Sequence, residues 1–325
     1  MKKIFCILSL LFITHQAKSW GFFAHKLINH IAVFSLPSEM FLFYKTNIEF
    51  ITEHAVSADK RRYTDTNEAH KHYIDLDHYE KVLPIDTVPK YWKDAVLKLS
   101  ADTLRAYGIV PWHINVMMFR LSDAFKTKNL DLILKYSADI GHYIADAHVP
   151  LHASENYNGQ FTAQNGIHAF WEGRLPELFC NKYDLFVGKS VYINDMQSAA
   201  WDASKGSFAA LDSVLGFEKK LNLNYSADKK YSYEQRGSKQ IKIYSKDYSD
   251  AYHRMLSGQV ERRMRASIFL IACAWHTAWI NAGQPDLNDL TTTKNQTENS
   301  KEIDRKKLVE EEQKMMFEKM IGRDE

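Results

Sequence analysis

Hydrophobic side chains recur at helical spacing along most of the chain. Between Trp112 and Phe125, the residues Ile114, Met117, Met118, Leu121 and Phe125 fall at i, i+3, i+4, i+7 and i+11, one stripe of a helix. Ile133, Leu134, Ile140, Ile144 and Ala147 form a second stripe between Leu130 and His148. Further helices are predicted over Ala24 to Ser35, Pro89 to Tyr107, His168 to Phe179 and Tyr248 to Ala282. Period-two alternation is sparse. KQIKIYS, from Lys239 to Ser245, is the best strand candidate, in a polar stretch that suits a hairpin or a loop. The pattern predicts an all-α fold, a helical bundle with long connecting loops.

The pattern changes at both ends. Lys2 and Lys3 precede an apolar run from Ile4 to Ile13, and Ala17-Lys18-Ser19 supplies the small residues of a cleavage site, which together predict a signal peptide over residues 1–19. The run is too short to span a bilayer, so export to the periplasm or the extracellular space is expected, without stable membrane insertion. Cys6 lies inside the run rather than at the cleavage site, so no lipoprotein attachment signal is read. After Gly283-Gln284-Pro285 the chain turns polar and threonine-rich, then dense in both charge signs from Lys301 to Glu325. Residues 20–285 are therefore expected to form one domain. Residues 286–325 read as a linker and a charged helix or tail, with Leu308, Met315, Met316 and Met320 as a weak stripe open to a partner.

Cleavage after Ser19 would remove three lysines and take the formal charge of the 325-residue chain from +2 to −1. A mature chain so near neutrality lacks the broad basic surface that drives non-specific nucleic-acid binding. With 45% apolar residues it has ample material for a core. Cys180 and Cys273, the two cysteines beyond the signal, are too few for a cysteine metal site; they suit one disulfide or two buried thiols. Internal repeats, a glycine-rich phosphate loop and a nucleophile elbow are all absent from the sequence.

Histidines and carboxylates carry the chemistry. In GHYIADAHVPLH, His142 and Asp146 stand four apart, one helical turn on the same face, where two ligands reach one metal ion; Pro150 then ends the helix and His152 follows. IHAFWEGRL repeats the spacing with His168 and Glu172. A third stretch, SADKRRYTDTNEAHKHYIDLDHYE, is crowded with Asp59, Asp65, His70, His72, Asp75, Asp77 and His78. Imidazole and carboxylate suit zinc, and burying such a cluster without a cation is costly.

WGFFAH at the expected mature start, HKHYID, HYIADAHVPLH and HAFWE stand in the order and approximate spacing of the superfamily of zinc-dependent phospholipases C and single-strand-specific zinc nucleases, which the chain resembles from Trp20 to Pro285. The resemblance implies an all-α phosphodiesterase holding three zinc ions. Asp59, His72, His142 and Asp146 would hold one; Trp20, through its free amino group, and His25 a second, with Asp146 bridging; His152, His168 and Glu172 the third. It further implies a metal-bridged hydroxide attacking phosphorus. Asp59 and Asp146 would serve in that chemistry and Arg62, three residues after Asp59, would stabilise the transition-state phosphate.

Two branches compete. HVPLH resembles the nuclease form, and Tyr73 and Asp75 match positions where nucleases stack a base and bind its edge. Glu172, where nucleases usually carry aspartate, and HASEN from His152 to Asn156 resemble the phospholipase form. The reading leans slightly to single-stranded DNA or RNA as substrate, with a phospholipid head group as the alternative and a non-catalytic zinc-stabilised binding protein as the third possibility.

Overall fold

A computed structural model of the chain describes residues 21–290 apart from 82, 83, 237, 238 and 289. The expected signal segment with Trp20, and the charged tail, lie outside the described residues.

The elements follow in the order α1 (Phe22–Ala32), α2 (Ser38–Thr46), α3 (Ile48–His54), α4 (Ser57–Arg61), α5 (Leu76–Glu80), α6 (Trp92–Leu99), α7 (Ala101–Ala106), α8 (Val110–Lys126) and α9 (Leu130–Ala147). After a 3₁₀ turn at Pro150–Ala153 come α10 (Ile167–Ala169), a π turn at Phe170–Arg174, and α11 (Leu175–Phe179). The long α12 (Met196–Leu223), a hairpin of β1 (Tyr231–Arg236) and β2 (Lys239–Tyr244), α13 (Lys246–Met255) and α14 (Gln259–Asn281) complete the set. The architecture is an all-α bundle of many helices with long loops. Among the described residues no helix is long and apolar enough to cross a membrane.

Helix α9 lies at the centre, packed by α8, α14, α3, α1 and α12. The Asn129 side chain caps it by accepting from Leu132 N at 3.1 Å. From Ser137 to Ser154 every residue is buried, so the polar groups on α9 must find partners inside the protein. Ser137 shares a 2.8 Å hydrogen bond with Tyr44, and Asp139 accepts from Arg61 at 2.9 Å. Gly141 lets α1 come close: a Cβ at that position would lie 1.9 Å from Asn29 Oδ1. The resulting approach brings His25, one turn earlier on α1, into a stack on His142 with ring centroids 4.0 Å apart.

The predicted helices over 112–125 and 130–148 agree with α8 and α9. Two longer predictions split where the backbone turns left-handed. Ser100, at φ 68°, separates α6 from α7 and caps the latter through Thr103 N at 3.3 Å. Ser257 and Gly258, at φ 48° and 74°, separate α13 from α14. The strand candidate pairs antiparallel with β1, Tyr244 opposite Tyr231. Both cysteines are free: Cys273 is buried and accepts from Val191 N at 3.3 Å, while Cys180 is half-buried.

Two buried histidines shape the pH response of the fold. Burial, with the nearby Lys71 charge, pushes His113 down to about 3; burial, with Arg263, does the same to His148, whose Nδ1 donates to Ile144 O at 2.8 Å. Their folded pKa values lie below the unfolded value of 6.5, so the unfolded chain binds more protons as pH falls below 6.5. Stability is fully present above that value and declines toward pH 3, by about 2 kcal/mol per histidine at pH 5. Urea unfolding with chelator present should therefore show a loss between pH 7 and pH 5 that is smaller by about 2 kcal/mol in His148→Gln than in the wild type; equal losses would remove His148 from the effect.

Candidate metal centre

The ligand candidates come from seven separate segments that converge on the C-terminal half of α9. His142 and Asp146 project from α9, His25 from α1 and Asp59 from α4. His72 follows a 3₁₀ turn, Ala69–Lys71. Pro150 starts the 3₁₀ turn that folds His152 back toward Asp146. His168 lies on α10 and Glu172 in the π turn, a wider local winding of the kind found at functional sites.

Asp146 is the hub, and it is fully buried. Its Oδ2 lies 2.8 Å from His72 Nδ1 and 3.2 Å from His142 Nε2. Its Oδ1 lies 3.4 Å from His25 Nε2 and 3.9 Å from His152 Nε2. The two oxygens thus face different neighbours. Asp59 Oδ1 is 3.7 Å from His142 Nε2 and 3.9 Å from His72 Nδ1. On the far side, His168 Nε2 stands 3.1 Å from His152 Nε2 and 3.1 Å from Glu172 Oε1, with Glu172 Oε2 3.5 Å from His152 Nε2.

Three groups are each able to hold a metal ion: His25 with Asp59 and His142, His72 with His142 and Asp146, and His152 with His168 and Glu172. Every described residue of the expected ligand set is in this cluster; Trp20 lies outside the described residues. Its neighbour Gly21 is described, and it packs so closely on Gly173 that a Cβ would meet the Gly173 Cα at 3.2 Å. The chain therefore enters α1 beside the turn that carries Glu172.

The donor set fits a bound metal cation on three physical grounds. First, backbone carbonyls orient the imidazoles: His142 Nδ1 donates to Ala55 O at 2.8 Å, His152 Nδ1 to His72 O at 2.6 Å, and His168 Nδ1 to Tyr157 O at 3.1 Å. A carbonyl only accepts, so each Nδ1 carries the proton and each Nε2 offers a lone pair to the cluster. Second, the Nε2 atoms of His152 and His168 face each other at 3.1 Å. Two lone pairs at that distance repel, whereas neighbouring ligand atoms on a tetrahedral zinc ion stand roughly 3.3 Å apart. Third, both oxygens of Asp59 and of Glu172 are buried without a hydrogen-bond partner, and the Arg62 guanidinium reaches Asp59 only at 3.7 Å, a costly state that a closer cation would relieve.

The site's demand for positive charge shows in its protonation. Burial works to depress His142, yet Asp146 and Asp59 outweigh it and raise the ring to about 9. His152 is likewise raised to about 9 against its burial, by Asp146 and Glu172. Asp146 stays well below the usual carboxylate range because the surrounding histidines more than offset its desolvation.

Beside the cluster opens a cleft of about 510 Å³, lined by His72, His152 and His168 on one wall and by Arg62, Tyr73, Asp75, Tyr107, Glu155, Tyr157 and Phe161 among others. Arg62 Nη1 lies 3.7 Å from Asp59 Oδ1. Its neighbour Arg61 instead turns inward to Asp139 and Glu68, so the two arginines of DKRR divide between site and scaffold. Burial, with the charges of Asp77 and Glu155, raises Asp75 to about 7. Of the other acidic and histidine positions in that stretch, Asp77 accepts from Ser154 Oγ at 2.7 Å and Glu155 N at 3.0 Å, and His78 stacks on Tyr107. These residues hold the loop rather than the cluster. Tyr107, Glu155, Tyr157 and Phe161 escaped the sequence reading because no spacing rule links them to the ligands.

Comparison with protein-family models gives no match to the chain, and comparison with curated proteins gives none either. The functional argument rests on the site itself.

Metal-stripped protein titrated with zinc should bind three ions per chain and unfold at a higher temperature as it loads, each site adding about 4 kcal/mol at a thousandfold excess over its Kd. His168→Ala should lose one ion and Asp146→Asn more than one. Equal stoichiometry in both variants would contradict the expectation that Asp146 is shared between two ions.

Proposed function

We propose that the chain is a zinc-dependent phosphodiesterase of the phospholipase C and single-strand nuclease type, acting after export. The observation that carries the proposal is the arrangement of three adjacent ligand groups, two of them sharing His142, beside a cleft that His72, His152, His168 and Arg62 line. Zinc held there supplies concentrated positive charge, which acidifies water and polarises phosphoryl oxygens.

The protein's own groups divide the remaining work. The guanidinium of Arg62 is fixed near Asp59 and offers planar donors to a phosphoryl oxygen as charge builds on it. Asp59 accepts a hydrogen bond from, and thereby orients, an attacking water. Asp146 holds its imidazole neighbours by charge. The ring of Tyr73, whose hydroxyl donates to Ala106 O at 3.3 Å, is available as a stacking face, and Asp75 stands beside it in the cleft. A carboxyl group titrating near pH 7 presents both a donor and an acceptor, which suits a nucleobase edge. These features favour single-stranded nucleic acid.

A specific observation favours the second reading, a phospholipid head group. The same cleft combines Asp75 and Glu155 with several aromatic rings, an environment that also attracts an organic cation. Glu172 in the third ligand group is the sequence feature that agrees with it.

Mature protein loaded with zinc should hydrolyse single-stranded DNA or RNA and lose that activity with chelator. A phosphatidylcholine dispersion and a nucleotide 3′-monophosphate serve as the competing substrates. Cleavage of lipid alone would assign the second reading, and bound zinc with no turnover would leave a non-catalytic zinc-binding protein. Tyr73→Ala should lower kcat/KM on nucleic acid roughly tenfold or more, the order of one stacked base, and change little on a small phosphodiester.

The tryptophan ligand is tested separately. Adding one residue before Trp20 should cost a zinc ion and most of the activity. Full zinc content in such a protein would take the Trp20 amino group out of the metal site.

A further inference from the structure

His72 differs from His142, His152 and His168 in the nitrogen it presents. His142, His152 and His168 present Nε2 and anchor Nδ1 on a carbonyl, whereas His72 presents Nδ1, at 2.8 Å from Asp146 and 3.0 Å from His142 Nε2. Its Nε2 is buried without a hydrogen-bond partner and faces Glu68 Oε1 at 3.6 Å. That separation is longer than a hydrogen bond, so the carboxylate acts on the ring through its charge.

Glu68 is itself buried and firmly held. The Tyr143 hydroxyl and Arg61 Nη2 donate to Oε1, the latter at 3.3 Å, and Lys71 Nζ donates to Oε2 at 2.7 Å. Arg61 is fixed in turn by Asp139 at 2.9 Å, and Tyr143 packs edge-on against the His72 ring. Asp139 and Tyr143 both project from α9, as His142 and Asp146 do. One helix thus carries ligands on one side and, on another, the groups that fix Glu68.

We infer that Glu68 is the positioning residue of His72: its carboxylate, fixed by Tyr143, Arg61 and Lys71, keeps the proton of that ring on Nε2 and turns Nδ1 toward His142 and Asp146. Carboxylates that orient a metal-binding imidazole through its second nitrogen strengthen the ligand and typically govern roughly 10- to 100-fold in metal affinity. Glu68 does here what a backbone carbonyl does for the other three rings. The assignment rests on the metal-centre reading above.

The test uses the full chain, stripped of metal and titrated with zinc against a competing chromophoric chelator. Glu68→Gln keeps the shape of the side chain and removes its charge. It should weaken one zinc roughly 10- to 100-fold while the zinc held by His152, His168 and Glu172 keeps its affinity. Glu218→Gln is the control, since Glu218 is an equally buried carboxylate held by a tyrosine hydroxyl and a lysine, Tyr248 and Lys230, but stands on α12; its zinc affinities should match the wild type. Nitrogen NMR of the zinc-loaded wild type, which needs no variant, should show His72 protonated on Nε2. Wild-type affinities in Glu68→Gln, equal losses in the two variants, or a proton on His72 Nδ1 would each overturn the role of Glu68. A wild-type chain that takes up no zinc would defeat the metal-centre reading and this one together.

Discussion

The structure depends on one electrostatic constraint: Asp146 is an ionised carboxylate on the fully buried C-terminal half of α9. An isolated charge in that position costs many kcal/mol, and a protein normally avoids it by neutralising the group. Here it is surrounded by His25, His72, His142 and His152, none of which is more than 3.9 Å away. The histidines are buried too, so the cost is shared rather than cancelled, and a cation in their midst resolves both sides of it. The features that place these residues follow from that need: the missing side chain at Gly141 that admits α1, the proline that turns the chain after α9, and the carbonyls that hold the rings.

The sequence disclosed what periodicity and spacing encode. Helices α8 and α9 were legible because their apolar residues make clean stripes, and the pairs His142 with Asp146 and His168 with Glu172 because four-residue spacing on a helix is a geometric statement. Helix α12 was not read. Gly206, Gly216 and several serines and charged residues dilute its stripe, and packing against α8 and α9 rather than propensity stabilises it. The break at Ser100 was equally hidden, since serine carries no preference for a left-handed backbone, whereas the second break carries a signal in Gly258.

Glu68 is the instructive omission. It stands four residues before His72, the same interval as the two pairs that were noticed. The intervening residues form a 3₁₀ turn rather than an α-helix, so the interval alone gave no reason to set the two side chains together. Likewise nothing in DKRR distinguishes Arg61 from Arg62. Only the position of α4 against α9 sends one to Asp139 and leaves the other at the cleft.

The carbonyls that aim His142, His152 and His168 belong to Ala55, His72 and Tyr157. A main-chain oxygen is present whatever the side chain, so substitutions at Ala55 or Tyr157 leave the aiming group in place as long as the local backbone path is kept. In the case of His152 the oxygen belongs to another ligand residue, which ties the orientation of one ring to the path of the chain through the other. The orientation of the ligands thus rests on the path of the backbone at positions 55, 72 and 157 more than on the side chains there.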